Sequence, residues 1–450
     1  MKYRISALLS LAVLGLSAQV AQYSFTLKEA QDFAVENAYD PRIQKLEIEK
    51  TRKLIMETAS AGLPQVNATG NFQKYLEIPT TLIPAEAFGG PAGEYLPVQF
   101  GLEYTAGAQF NVNQLIFDGS YIVALVATKV LKENAELGFE RSTIQSRELI
   151  AQTYHAILVS ERLEGVLQDN IETLRESLEQ NRKLLKEGFL EEQDVDQLEL
   201  LVTDIEINLD YTRRLAKVSR YLLNVQLGIP VESEINLEDD IEQLITLTVD
   251  GESLLTEQFD PEQNVEYRSL ETNERGALLN IRNEQMSYLP KVNGFLTLAQ
   301  NYQNNDPEFW QDANSNRWFP NYFIGANVSI PIFTGLRRSA RVSQAKIDLD
   351  KVEVAKEQLE GNLKVEYQRV KAQFEFNLSN LNTRRRNAEI ANKILNNTLI
   401  KYREGLASSL ELTQTQNQYL DALRQYVNAA QQALDSRAAM ERVLGKYNLN

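Results

Sequence analysis

The residues able to do chemistry are unevenly supplied in this chain. His155 is the only histidine, and there is no cysteine. That removes thiol nucleophiles, thiolate metal ligands and disulfides together, and it leaves a histidine-based metal site or catalytic triad without material. Acids are plentiful: 62 Asp and Glu stand against 46 Lys and Arg, for a net charge of −16. Binders of nucleic acid present a basic face, so nucleic acid is not an expected partner. Asp194-Val195-Asp196 has the spacing of two calcium ligands but lacks the glycine and closing glutamate of an EF-hand loop. Arg384, Arg385 and Arg386 form a short basic run, read as a solvated helix face or as salt bridging between helices. Neither a phosphate-binding glycine loop nor a nucleophile elbow is found. The expectation is a protein that is not an enzyme, with no catalytic residues, no metal and no cofactor.

The larger pattern is a duplication. The first copy runs Leu63-Pro64-Gln65-Val66-Asn67, Ile116-Phe117-Asp118-Gly119, Glu187-Gly188-Phe189 and Leu227-Gly228. The second runs Leu289-Pro290-Lys291-Val292-Asn293, Ile332-Phe333-Thr334-Gly335, Glu404-Gly405-Leu406 and Leu444-Gly445. The offset is 226 at the prolines (290 − 64), 216 at the phenylalanines (333 − 117) and 217 at both later glycines. Ten residues of the change in length fall between proline and phenylalanine and a single residue after it, as expected of a repeat whose loops vary more than its helices.

Four segments alternate with period two. From Phe100 to Asn113, Phe100, Leu102, Tyr104, Ala106, Ala108, Phe110 and Val112 oppose a face of Gly, Glu, Thr, Gln and Asn. Gln65–Tyr75, Val292–Tyr302 and Asn321–Ile330 repeat the arrangement. Each is about ten residues, the length a tilted strand needs to cross a bilayer. The polar faces carry few charges, as in a watery barrel lumen, and no second sheet is available to cover the apolar faces. Four strands cannot close a barrel, and open edges cannot face lipid, so several copies must complete one cylinder. The strand periodicity alone leaves eight strands from two copies and twelve from three equally open. Between the strands, residues 77–99 read as turn and loop chemistry, and residues 303–320 place Trp310, Trp318 and Phe319 where an interfacial girdle or a packed loop would use them.

From Ser120 to Lys186 there is no proline, and apolar residues recur at three and four, including Leu167, Ile171, Leu174 and Leu178. The spacing resumes after Gly188 and is repeated in the second copy, which predicts coiled-coil packing of antiparallel helices. The first long helix would extend on the order of 100 Å at 1.5 Å per residue. Pro64 and Pro290 end helices and force the preceding leucines into extended geometry. Residues 1–21 have the layout of a secretory signal peptide, with Lys2 and Arg4 before an apolar stretch and small residues at Ser17, Ala18 and Ala21. The expected organisation is a first repeat over 22–228 with a β-hairpin at 65–113, an irregular equatorial linker over 229–264, and a second repeat over 265–450 with a hairpin at 292–330. One elongated unit is expected.

Strand pairs set between long helices, in two copies behind a signal peptide, resemble the TolC family of outer-membrane efflux and secretion channels over about residues 22–447. The Leu-Pro junctions, the Ile-Phe-Asp-Gly and Ile-Phe-Thr-Gly junctions and the paired glycine turns carry the resemblance. It implies mixed α and transmembrane β structure: a homotrimer whose twelve-stranded barrel lies in outer-membrane lipid and continues as an α-helical coiled-coil barrel into the periplasm. It also implies a passive exit duct in tripartite efflux or type I secretion, opened by a periplasmic adaptor protein and an inner-membrane pump. By the same resemblance, Gly188 and Phe189, with Gly405, Leu406 and Ala407, form the tip to which an adaptor docks. Glu411 and its first-copy counterpart Asp194 constrict the pore, where Gln414 replaces a second expected acid. A ring of carboxylates in a narrow pore favours cations. The competing expectation is a periplasmic coiled-coil spacer or adhesin with a β anchor, which needs neither lumen-like strand faces nor duplicated hairpins.

Overall fold

The computed structural model describes residues 22–307 and 318–448. The expected signal peptide and Trp310 lie outside them. The order is β1 (Gln22–Phe25), α1 (Leu27–Asn37), α2 (Tyr39–Ser60), β2 (Gln65–Lys74), β3 (Thr80–Pro84), β4 (Tyr95–Gln99), β5 (Tyr104–Phe117), α3 (Gly119–Lys186) and α4 (Glu192–Leu227). There follow β6 (Glu234–Leu237), α5 (Ile241–Val249), α6 (Val265–Met286), β7 (Lys291–Asn304), β8 (Trp318–Ser329), α7 (Arg337–Arg403) and α8 (Ser409–Val443). The two long helices run 68 and 67 residues. Instead of one unit, the chain forms two compact ones, each drawing on both repeats.

One unit comprises Ile48–Ala135 and Leu270–Ala355. Its main sheet is antiparallel, in the order β2-β5-β7-β8. The register explains the alternation. Val66, Val112, Leu296 and Ile324 form one cross-strand row, and Ala68, Phe110, Leu298 and Tyr322 the next row on that face. On the opposite face Asn67, Asn111 and Thr297 align, as do Thr69, Gln109, Ala299 and Asn321. A one-residue slip in any strand would exchange its two faces, so this pattern specifies the register. The β5 strand begins at Tyr104 and continues to Phe117, four residues later at each end than the alternation predicted; its pairing with β7 runs past Asn113 through Gln114 and Leu115 and resumes at Phe117 after a bulge at Ile116.

Residues 77–99 are more ordered than their turn chemistry suggested. Within them β3 and β4 pair as a small separate sheet, closed by a 3-10 turn over Ala85–Phe88. Pro84 and Pro97 sit in short strands with a single neighbour, where a missing N–H is tolerated.

The other unit comprises residues up to Glu47, Glu136–Ser269 and Lys356–Asn450. Its core is a continuous apolar seam from α3 (Leu167, Ile171, Leu174, Leu178), α4 (Leu198, Val202, Ile205), α7 (Leu381, Leu395) and α8 (Leu412, Leu420, Leu423). The linker over 229–264, expected to be irregular, supplies β6, which pairs in parallel with β1, and the short helix α5. Tyr154 is fully buried beneath this β1–β6 pair and donates its hydroxyl to Asp239 at 2.8 Å.

Arginine and glutamate flank the α3–α4 seam at heptad intervals. On α4 the positions are Glu199, Glu206, Arg213 and Arg220; on α3 they are Arg182, Arg175, Gln168 and Glu161, with Glu164 beside them. Acid lies on α4 near the turn and base farther away, so the ladder matches itself only in one antiparallel register. The corresponding α7–α8 contacts near the middle are uncharged on at least one side: Arg384 meets Gln425, and the Asn377 amide donates to the Gln432 carbonyl at 3.0 Å.

Candidate functional site

Each long hairpin of helices turns on a glycine in the left-handed region, Gly188 at φ +82° and Gly405 at φ +72°. The two turns close identically. Phe189 N–H donates to Leu184 O at 2.9 Å and Gly188 N–H to Leu185 O at 3.0 Å; Leu406 N–H donates to Lys401 O at 2.7 Å and Gly405 N–H to Tyr402 O at 3.0 Å. These bonds satisfy the last carbonyls of α3 and α7, and glycine adopts the required φ with no Cβ penalty. Lys183, Lys186, Lys401 and Arg403 lie in the last turns, where cations oppose the helix dipole. With the backbone satisfied internally, Phe189 and Leu406 are left 74% and 78% exposed. Ala407 is half-buried behind Leu406.

Just behind the turns, α4 and α8 meet through their first turns. The Ser409 hydroxyl is shared between Asp194 and Gln197, at 2.8 Å from the latter's side-chain oxygen. Across the ends of α3 and α7, the Asn181 amide bonds the Tyr402 hydroxyl. Burial raises the Tyr402 pKa above the ordinary phenol value, the Asn181 bond opposing and the Asp194 charge reinforcing it. Asp194 is thus half-buried and engaged with another helix, whereas Glu411 and Gln414 are exposed on α8. Glu411 also sits in the first turn of α8, where its backbone N–H donates to the capping Ser408 hydroxyl at 3.2 Å. Ser409, Asn181 and Tyr402 escaped the sequence reading. Tyr402, three residues before Gly405, was the one with a positional signal.

In the strand unit the functional feature is the sheet's margins. Among the described residues β2 and β8 each have one neighbour in the main sheet, so each leaves a free edge. The sheet joins its helices through residues from both repeats. Asp118 accepts from Ser120 N–H at 2.8 Å and pairs with Lys291 at 2.7 Å, so the Ile-Phe-Asp-Gly motif of one copy is tied to the Leu-Pro-Lys junction of the other. The two motif glycines differ in use. A Cβ on Gly119 would stand 3.0 Å from Met286 Cβ, whereas Gly335 adopts φ +58° in open space.

The remaining candidates fall into ordinary contacts. His155 is 4% exposed, with Nδ1 at 3.1 Å from Asp435 Oδ1. Arg385 reaches Glu242 at 3.5 Å, and Arg386 is exposed. Among the described residues no group of three or more His, Asp or Glu is placed to hold a metal ion, and no helix is long and apolar enough to cross a membrane.

Residues 262–446 match the family model described as outer membrane efflux protein. No curated protein sequence matches the chain. The fold is shared with solved outer-membrane structures at low identity. VceC of Vibrio cholerae is 14% identical with a TM-score of 0.65, covering 93% of this chain and 96% of its own. The CmeC outer membrane channel of Campylobacter jejuni is 14% identical with a TM-score of 0.68, covering 94% and 86%. The open state of the MtrE outer membrane channel of Neisseria gonorrhoeae is 15% identical with a TM-score of 0.68, covering 93% and 88%. The outer membrane efflux protein match thus covers the second repeat, and the fold over most of the chain is the one seen in these outer-membrane channels.

Proposed function

We propose that the protein is the outer-membrane channel of a tripartite efflux or type I secretion system, a passive duct from periplasm to exterior. The observation that carries this reading is the four-strand sheet, whose cross-strand rows are apolar on one face and amide-rich on the other while both of its edges stay open. Such a sheet is stable in lipid only as part of a closed cylinder with water inside. Three copies would supply twelve strands, the number the family resemblance implies. The periplasmic helices then form the duct, and the energy for transport comes from an inner-membrane pump reached through an adaptor.

In this reading Phe189 and Leu406, presented by Gly188 and Gly405 and followed by Ala407, are the apolar knobs that an adaptor covers. Glu411 and Gln414 face the lumen behind them, and Asp194 narrows the same level by holding Ser409. A spacer or adhesin would have no use for amide-lined strand faces.

Planar-bilayer recording of the purified oligomer tests the function. Discrete conductance steps with a preference for cations are expected, and Glu411→Gln should lower that preference. A protein that inserts but never conducts, even with the tip contacts removed, would return the spacer reading.

A further inference from the structure

His155, the chain's single histidine, is 96% buried on α3 yet has only half of its hydrogen-bonding capacity in use. Because a carboxylate can only accept, the 3.1 Å contact with Asp435 of α8 uses the Nδ1 proton. Nε2 has no hydrogen-bond partner among the described residues. The other repeat lacks the pair. At the 217 offset of the later glycines, His155 corresponds to Ala372 and Asp435 to Val218, so the duplicated helices pack without it.

The ring lies in the wall of a cavity of about 710 Å³ between α1, α3, α5 and α8. That volume suits a small organic molecule. Leu27, Leu244, Leu247, Leu254 and Leu434 give it an apolar lining. Most of its charges are already engaged. Arg147 pairs with Asp32 at 3.0 Å, Arg437 with Glu441 at 2.9 Å and Lys446 with Glu257 at 2.5 Å. Asp239 accepts from Leu27 N–H at 2.6 Å and from the Tyr154 hydroxyl at 2.8 Å. Lys28 is the exception, exposed at the cavity with no partner among the described residues.

Four cations and three carboxylates therefore line this cavity, in a chain whose net charge is −16. Its local sign runs against that of the whole. Two nitrogens, Lys28 Nζ and His155 Nε2, are left to recognise a ligand. An anionic head satisfies both at once, since a protonated imidazole donates to Asp435 on one side and to the ligand on the other. The leucines call for an apolar body behind that head.

We propose that this cavity binds an amphipathic organic anion, a carboxylate on an apolar body, with its head at Lys28 and His155 Nε2 and its body against Leu247 and Leu254. The site uses no residue of the tip or of the strand sheet and lies within one chain. It goes beyond the channel reading and does not depend on it.

The photoreactive carboxylate para-benzoylbenzoate tests the proposal on the full chain in lipid nanodiscs, with para-benzoylbenzylamine and para-benzoylbenzamide as its cationic and neutral counterparts. After irradiation, peptide mass spectrometry should find the carboxylate on the segment holding Leu247 and Leu254, several-fold more strongly than either counterpart. Excess octanoate should compete it away. Lys28→Glu, an exposed change in the first turn of α1 where an acid suits the helix, should cut that labelling several-fold and raise labelling by the amine. His155→Gln should also weaken labelling by the carboxylate; if it lowers the yield of folded protein, the Lys28 variant decides alone. Equal labelling by the three probes would show apolar partitioning only and overturn the proposal. Absence of label from this segment at millimolar probe overturns it too, as does labelling unchanged in Lys28→Glu. Conductance is read separately in bilayers, so these failures leave the channel reading standing.

Discussion

Ser409 donates its hydroxyl hydrogen bond to Asp194, joining the first turns of α8 and α4 four and six residues beyond their respective glycine turns. The pair links the two repeats at the same level, and Gln197 accepts from the same hydroxyl region at 2.8 Å. Ser409→Ala removes the link without adding bulk, for a loss of about 1 kcal/mol. We expect larger basal conductance in bilayers from this variant, with Asp194→Asn intermediate. Traces indistinguishable from the parent would show that this contact does not limit the opening.

Gly405 offers a separable test of the tip. Its φ of +72° disfavours any side chain by roughly 1–2 kcal/mol, yet a Cβ there would meet no neighbour. Gly405→Glu is therefore expected to leave the oligomer intact in the membrane while abolishing pull-down of the adaptor and with it efflux. Unchanged efflux in cells carrying this variant would reject the docking assignment.

The α3–α4 ladder should respond to charge reversal in a correctable way. Glu206→Arg places like charge against Arg175 in place of a 2.6 Å pair that is partly exposed on both sides, so the expected destabilisation is small, about 0.5–1 kcal/mol, and shrinks as salt is raised. Adding Arg175→Glu should restore the melting temperature. Failure of the double variant to recover would show that these side chains contribute by packing rather than by charge.

Tyr402, Tyr419, Tyr426 and Tyr447 all have pKa values raised by burial as the first cause. The sign follows from linkage: the folded state favours the neutral phenol, so the stability is whole below the ordinary value of 10.0 and declines as pH rises through it, when the unfolded chain ionises first. Thermal melts followed by circular dichroism should weaken above pH 10, and Tyr402→Phe should lessen that slope. A flat profile would mean that these rings reach water in solution.

Much of this architecture was legible because its periods are long and clean. Val66 and Phe110 announced a strand face by alternation, and Leu167, Ile171 and Leu174 a helix seam by their spacing, since both patterns depend only on which way successive side chains point. Pro64 and Gly188 marked ends because their backbone preferences are local. What stayed hidden has the opposite character. Pro84 and Pro97 argued for loop, and only the pairing of β3 with β4 shows that a short two-stranded sheet accepts them. The linker's β6 became a strand through β1, more than two hundred residues away, as Tyr23 opposite Ile235 shows. The Ser409–Asp194 and Lys291–Asp118 contacts join separate repeats, and no spacing within either repeat encodes them.

The open margins of the strand unit bear on how the protein reaches its destination. Every residue of β2 is exposed in the single chain, and β8 is nearly as bare. In the oligomeric channel proposed above, each chain would carry two unmated backbone ladders beside apolar side chains until it met other copies, the combination that seeds aggregation. Under that reading, biogenesis would set correct mating of these margins against clumping, and anything that shielded them in transit would favour the former.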